Sequence, residues 1–225
     1  MTQLTFSLPL RPAMGVEDFI VTESNRLAVA QLDKWPLWPS RVLVLQGAIG
    51  AGKTHLAQIW AQKTQAVMID SSAVADNLAV LLQHKLIVVE NADFLYGHET
   101  GEQALFHLCN HAMLNGAMLL TVATPPTAAV IQLPDLRSRL RSYPLLTLEP
   151  PDDTLLAALL VKQFNDRQLR VGQDVVDYLL PRIERSAAAA AAIVQALDEA
   201  ALVRRHAVTV PLVRAVLEAR QGQLF

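Results

Sequence analysis

The stretch Gln46-Gly47-Ala48-Ile49-Gly50-Ala51-Gly52-Lys53-Thr54 limits the folds open to this chain more than any other. An unbroken apolar run, Val42 to Leu45, leads into it, and an amphipathic segment from His55 to Lys63 leads out. Buried strand, glycine turn and helix, in that order, are the context that a phosphate-binding loop requires. The glycines let the backbone curl so that its N–H groups converge on an anion. The helix that follows adds the positive end of its dipole. Placed there, Lys53 reaches the β- and γ-phosphates and the Thr54 hydroxyl ligates Mg²⁺. Gly47, Gly50, Ala51, Gly52 and His55 supply the rest of the loop and the first helical turn. The expected ligand is ATP or ADP with Mg²⁺.

The rest of the chain supplies the layers such a loop needs. Ala66–Asp70, Lys85–Asp93, Ala117–Ala123 and Leu145–Leu148 read as further short apolar strands. Helical patterns run between them, from Ser71-Ser72 to about Gln83 and from Glu99 to Leu114. An earlier helix, with Ser24 as its cap, runs to Leu32 and stops before Trp35-Pro36-Leu37-Trp38-Pro39, where proline forbids continuation. Strands alternating with helices predict an α/β fold, a parallel sheet covered on both faces, with ligands at the carboxyl ends of the strands. Pro134–Arg141 is a short segment leading to the last strand. After Glu149-Pro150-Pro151 everything reads helical, over about 153–168, 173–183, 186–204 and 211–219. The expected organisation is an extended leader over 1–17, a nucleotide-binding core over 18–150 and a helical lid over 151–225.

Composition enters mainly through what it excludes. The net charge of −2 and a single basic cluster, Arg137, Arg139 and Arg141, argue against a duplex-DNA-binding face. The apolar runs are too short and interrupted for a membrane span, and no signal peptide is expected at the start. The single cysteine, Cys109, lies in a helical pattern and reads as a buried hydrophobe, so a cytoplasmic location is expected. Trp35 and Trp38 read as a core edge rather than a base-stacking pair. His107 and His111 stand one helical turn apart with no third metal ligand in view.

The order Asp18-Phe19-Ile20-Val21 … Ser24-Asn25-Arg26-Leu27-Ala28, phosphate loop, acidic strand end, Pro125-Pro126, Leu136-Arg137-Ser138-Arg139-Leu140 and Leu148-Glu149-Pro150-Pro151 resembles the AAA+ domain of the bacterial replication initiator DnaA. The likeness runs from about residue 17 to 217. The residues stop where the initiator continues into a helix-turn-helix domain, which directs the resemblance to the Hda type of DnaA-related regulator, HdaA included. That resemblance implies a protein loaded on the DNA polymerase III sliding clamp (the beta subunit) that promotes hydrolysis of DnaA-bound ATP. It implies Arg139 as an arginine finger supplied in trans, with Arg137 and Arg141 as alternatives. It places Phe19, Ile20 and Val21 at the adenine. For the clamp it offers a leader, Gln3, Leu4, Leu8 and Leu10. A second candidate, Gln221, Leu224 and Phe225, fits a looser clamp-binding pattern at the other end. A homodimer that hides Arg139 remains open.

Departures from the family's pattern bear on turnover. Glu90 can still help hold Mg²⁺, but the next position is Asn91, and an amide cannot take a proton from attacking water. Asp93 is expected to point elsewhere. The first sensor position offers only Thr121 or Thr124, and the lid helix that usually carries a sensor arginine reads Ser186 followed by six alanines, with Arg182 or Arg185 as substitutes. Weak intrinsic ATP hydrolysis is therefore expected. The competing reading is a helicase-loader-type ATPase acting on single-stranded DNA.

Overall fold

The computed structural model describes residues 20–127, 129–204 and 207–221. The chain divides at Glu149–Pro150 into two compact units.

The first unit begins with helix α1 (Arg26–Leu32) and strand β1 (Val42–Gly47), then α2 (Lys53–Thr64), β2 (Val67–Asp70), a short α3 (Leu78–Leu81) and β3 (Leu86–Glu90). It continues with α4 (Glu99–Asn115), β4 (Ala117–Val122), α5 (Pro134–Ser142) and β5 (Leu145–Leu148). The five strands form one parallel sheet in the order β2-β3-β4-β1-β5. β1 lies inside the sheet, and Val42, Leu43, Val44 and Leu45 have no exposed surface. A strand covered on both faces needs such a continuous apolar run.

The two-residue period of a strand sorts that run into two cores. Val42 and Val44 join Val89, Met118 and Leu120 against Leu105 and Leu108 of α4 and Leu136 and Leu140 of α5. Leu43 and Leu45 face the other way, onto Ala28 and Leu32 of α1 and Leu56 and Trp60 of α2. Trp38 stacks on Trp60 at 4.8 Å, and Trp35 meets both rings edge-on, at 5.0 and 5.8 Å. These tryptophans close the edge of the second core, and Trp38 Nε1 donates to Leu32 O.

Two local expectations need correction. Ser24 does not cap α1. Asn25 holds the cap position and turns its side chain back, accepting from Thr22 N and donating to Ile20 O. Ser71-Ser72 does not start a long helix. The Asp70 carboxylate caps a single 3₁₀ turn, Ser71–Ala73, and α3 starts only after Asn77, whose side chain takes the Ala73 carbonyl. Asp and Asn compete in this way with helical backbone bonds. Pro134–Ser142 is a full helix, with proline in its first turn, where the missing N–H costs nothing.

The second unit is all-helical: α6 (Asp153–Asp166), α7 (Gln173–Leu179), a 3₁₀ turn at Leu180–Arg182, α8 (Ala187–Arg204) and α9 (Val210–Gln221). The Asp152 carboxylate caps α6 through Leu155 N at 2.7 Å. Leu160, Phe164, Val176, Val194, Leu197 and Val213 form the unit's own core. No helix of the described residues is long and apolar enough to cross a membrane.

Cys109 is fully buried on α4, and burial pushes its thiol up to about 12 against the smaller opposing effects of Tyr143 and Arg139. At pH 8 a thiol reagent should therefore label the folded protein only as fast as it opens. Labelling followed against denaturant concentration checks this. Rapid stoichiometric labelling of the native chain would contradict the burial.

Candidate functional site

The site forms where β1 ends. At Gly47 a Cβ would sit 3.0 Å from the Leu148 carbonyl and 3.2 Å from the Ala51 Cβ, a tight fit that any larger residue would have to relieve by shifting β5 or the loop. Gly50 and Gly52 have φ of 79° and 99°, the left-handed region that glycine alone enters without strain. These turns bring the chain round to the start of α2, whose first N–H groups lack acceptors inside the helix by construction. Ile49 projects into solvent at the loop's tip.

Lys53 is buried, and its Nζ donates to Gly47 O at 2.8 Å and Ala48 O at 3.0 Å. Burial lowers its pKa, and the charge of Asp93 offsets part of that. An ammonium has three donors, so two bind the loop and a third remains for an anion. Thr54, next in the helix, is exposed.

The carboxyl ends of β2 and β3 add acidic side chains in register, Asp70 opposite Glu90. Asn91 has φ 53° and ψ 40°, a left-handed conformation that asparagine tolerates better than most residues. Its N–H donates to Thr121 Oγ1 at 3.0 Å, and its Nδ2 to Asp70 Oδ2 at 2.9 Å. Asp70 Oδ1 also accepts from Ser72 N and Oγ. Bonds from Ser72 and then Asn91 hold the Asp70 carboxyl below its usual range. Asp93 Oδ2 accepts from Ala123 N at 3.1 Å and Thr124 N at 2.9 Å, fastening the exit of β4 to the exit of β3. Thr121 is buried and committed to Asn91, while Thr124 is exposed.

The oxygens suited to a hard divalent cation are the Thr54 hydroxyl and the half-buried Glu90 carboxylate, and this donor set fits Mg²⁺. Val21 packs against the same apolar cluster as Ala51 of the loop, and the Ile20 carbonyl is held by Asn25. Phe19, Gln3, Leu4, Leu8, Leu10, Leu224 and Phe225 lie outside the described residues, as does the side chain of Gln221. His111 Nε2 meets the His84 carbonyl at 2.9 Å. In the helical unit, Arg185 pairs with Asp153 at 2.7 Å and Arg182 stacks on Tyr178 at 3.8 Å.

A second constellation lies between α4 and α5. Arg139 Nη1 donates to Asn110 Oδ1, and the guanidinium lies over the Phe106 ring, 4.8 Å from its centroid. Arg137 and Arg141 are exposed. Glu102, one of the few buried charged residues, accepts from Gly97 N at 2.7 Å, Gln132 N at 2.9 Å and Leu133 N at 2.6 Å. Sequence reasoning missed Glu102, and nothing in its helical context marks it. Asp70 and Asp93 were readable only as polar strand ends.

Residues 152–217 match the family model described as Hda, lid domain. The chromosomal replication initiator protein DnaA of Thermomicrobium roseum is 25% identical over 200 residues, 78% of this chain and 43% of that protein. The chain thus spans less than half the length of that curated relative. Domain III of the Thermotoga maritima replication initiation protein DnaA superposes with a TM-score of 0.76 at 20% identity, covering 94% of this chain and 98% of that one. The helical second unit thus matches the Hda lid model, and the chain shares sequence similarity with DnaA and the fold of DnaA domain III. AMPPCP-bound DnaA from Aquifex aeolicus gives a TM-score of 0.62 at 24% identity, covering 78% of this chain and 62% of that one.

Glu102 satisfies three backbone donors. Glu102→Ala should cost about 3 kcal/mol or more, because buried unpaired N–H groups each carry a desolvation penalty. Chemical denaturation monitored in the first unit measures it, and a loss under about 1 kcal/mol would mean that water takes over the acceptor role.

Proposed function

We propose that this AAA+ protein is a nucleotide-bound regulator of replication initiation that works on the ATP of DnaA rather than on its own. The observation that carries this reading is a complete phosphate loop beside a strand end without an available base. Asn91 is an amide tied to Asp70. Asp70 is held ionised by three donated hydrogen bonds and is a poor proton acceptor. Asp93 is committed to two backbone N–H groups. Glu90 is left for the metal. Such a site binds ATP or ADP and turns ATP over slowly.

The loop's N–H groups and the third proton of Lys53 receive the phosphates, and Ile20 and Val21, with Phe19, flank the base. Thr54 and Glu90 would hold Mg²⁺, which when bound neutralises phosphate charge. The likeness to nucleotide-bound DnaA supports this assignment. Arg139 is the residue that we assign to the γ-phosphate of DnaA-bound ATP, where a guanidinium supplied in trans stabilises charge developing during transfer. Docking on the DNA polymerase III sliding clamp through Gln3, Leu4, Leu8 and Leu10 brings the two proteins together. The alternative contact is the tail with Gln221, Leu224 and Phe225.

Two measurements test this. Lys53→Ala should weaken ATP and ADP binding about 10- to 100-fold, the worth of charge-assisted hydrogen bonds. Calorimetry reads it, and unchanged affinity would remove the loop from the site. In a DnaA–ATP hydrolysis assay with clamp loaded on DNA, Arg139→Ala should lower stimulation about a thousandfold, to background. Undiminished stimulation would end the finger assignment. Separate deletions of residues 1–10 and 221–225 identify the clamp contact, and clamp binding that survives both would refute the docking.

A further inference from the structure

The contacts of Arg139 carry an inference that rests on the proposed trans role and deepens it. We infer that Asn110 and Phe106 are positioning residues that hold Arg139 aimed for an anion outside this chain.

Glu102, Phe106 and Asn110 follow one another at four-residue intervals, which places them along one face of α4. That face grips α5 at both ends. Glu102 accepts from Leu133 N, the cap position of α5, and fixes where the helix starts. Phe106 and Asn110 take the guanidinium at position 139, one turn from its other end. The backbone of α5 and the tip of its central arginine are therefore both set from the same helix.

The chemistry of the grip matters as much as its place. Both holders are neutral, an amide oxygen and a ring face. No ion pair among the described residues involves Arg139. A carboxylate in place of Asn110 would cancel the charge that a phosphate needs to meet. The amide fixes the side chain and leaves that charge whole. A guanidinium carries five N–H groups in a rigid plane, so one bond to Asn110 leaves others for bidentate contact with phosphate oxygens. Arg139 is only half-buried, so part of it is accessible. A free arginine would lose much of its rotamer entropy on engaging a target, and a held one has already lost it. Arg137 and Arg141, exposed on the same helix, have no such support.

The test is DnaA–ATP hydrolysis with clamp on DNA, measured against the concentration of the full-length protein. Asn110→Ala should lower maximal stimulation about tenfold, the size of effect expected from a mis-set catalytic cation. The half-maximal concentration should stay within about twofold of wild type, because docking is untouched. Phe106→Leu should lower the maximum about threefold, and Phe106→Tyr, which keeps the ring face, should restore it. Near-ultraviolet circular dichroism of each variant shows whether α4 and α5 remain packed, and the tyrosine rescue keeps the test decisive if Asn110→Ala misfolds. An Asn110→Ala protein with wild-type or raised maximal stimulation would overturn the inference, as would an effect confined to the half-maximal concentration. If Arg139→Ala abolishes stimulation while Asn110→Ala does not, the positioning fails and the finger stands. If Arg139→Ala itself stimulates normally, both fall.

Discussion

The fold depends on the complete burial of β1 between β4 and β5. A strand bonded on both edges and covered on both faces cannot shift without exposing apolar side chains and orphaning backbone groups. Its register with Met118–Val122 on one side and Leu145–Leu148 on the other is therefore fixed. The strand ends at Gly47, where the Leu148 carbonyl lies 3.0 Å from where a Cβ would stand. The loop that follows inherits this rigidity. Its left-handed glycines and the buried ammonium of Lys53 are held against the least movable part of the sheet.

Beyond Lys53, Thr54 and Glu90, three carboxylates of the first unit are engaged in hydrogen bonds. Asp70 accepts from Ser72 and Asn91, Asp93 from the backbone after β4, and Glu102 from three N–H groups. The bonds from Asn91 to Asp70, from Ala123 and Thr124 to Asp93, and from Gln132 and Leu133 to Glu102 tie together segments that leave the sheet at neighbouring strand ends. These three carboxylates thus act as fasteners for loops. On the proposed function, the cradle holds a nucleotide as a structural signal. The cation on α5 is arranged in the opposite way, with neutral supports and its charge intact.

Much of the fold was legible because the strands are short and apolar and the glycine turn can only sit between a strand and a helix. Val42–Leu45, Leu86–Val89 and Ala117–Val122 show themselves as buried runs. The misreadings at Ser24 and Ser71-Ser72 share one cause. Several capping residues stand side by side, and the winner, Asn25 or Asp70, is decided by backbone partners that the sequence does not display. The site was legible as a loop and a set of strand ends, but its fastening was not. Asn91 to Thr121, Asp93 to Thr124 and Glu102 to Leu133 each span about thirty residues. Only the finished sheet brings them together. The neutral support of Arg139 by Asn110 is of the same kind.

The proposed regulator must hold nucleotide without consuming it. The most direct measurement is ATP turnover by the purified chain alone, with the identity of its bound nucleotide determined alongside. Tight nucleotide binding with negligible hydrolysis, unchanged by single-stranded DNA, is the predicted result. Brisk hydrolysis, above all if single-stranded DNA accelerates it, would show that a base operates beside Asn91 and that the chain is a motor in its own right.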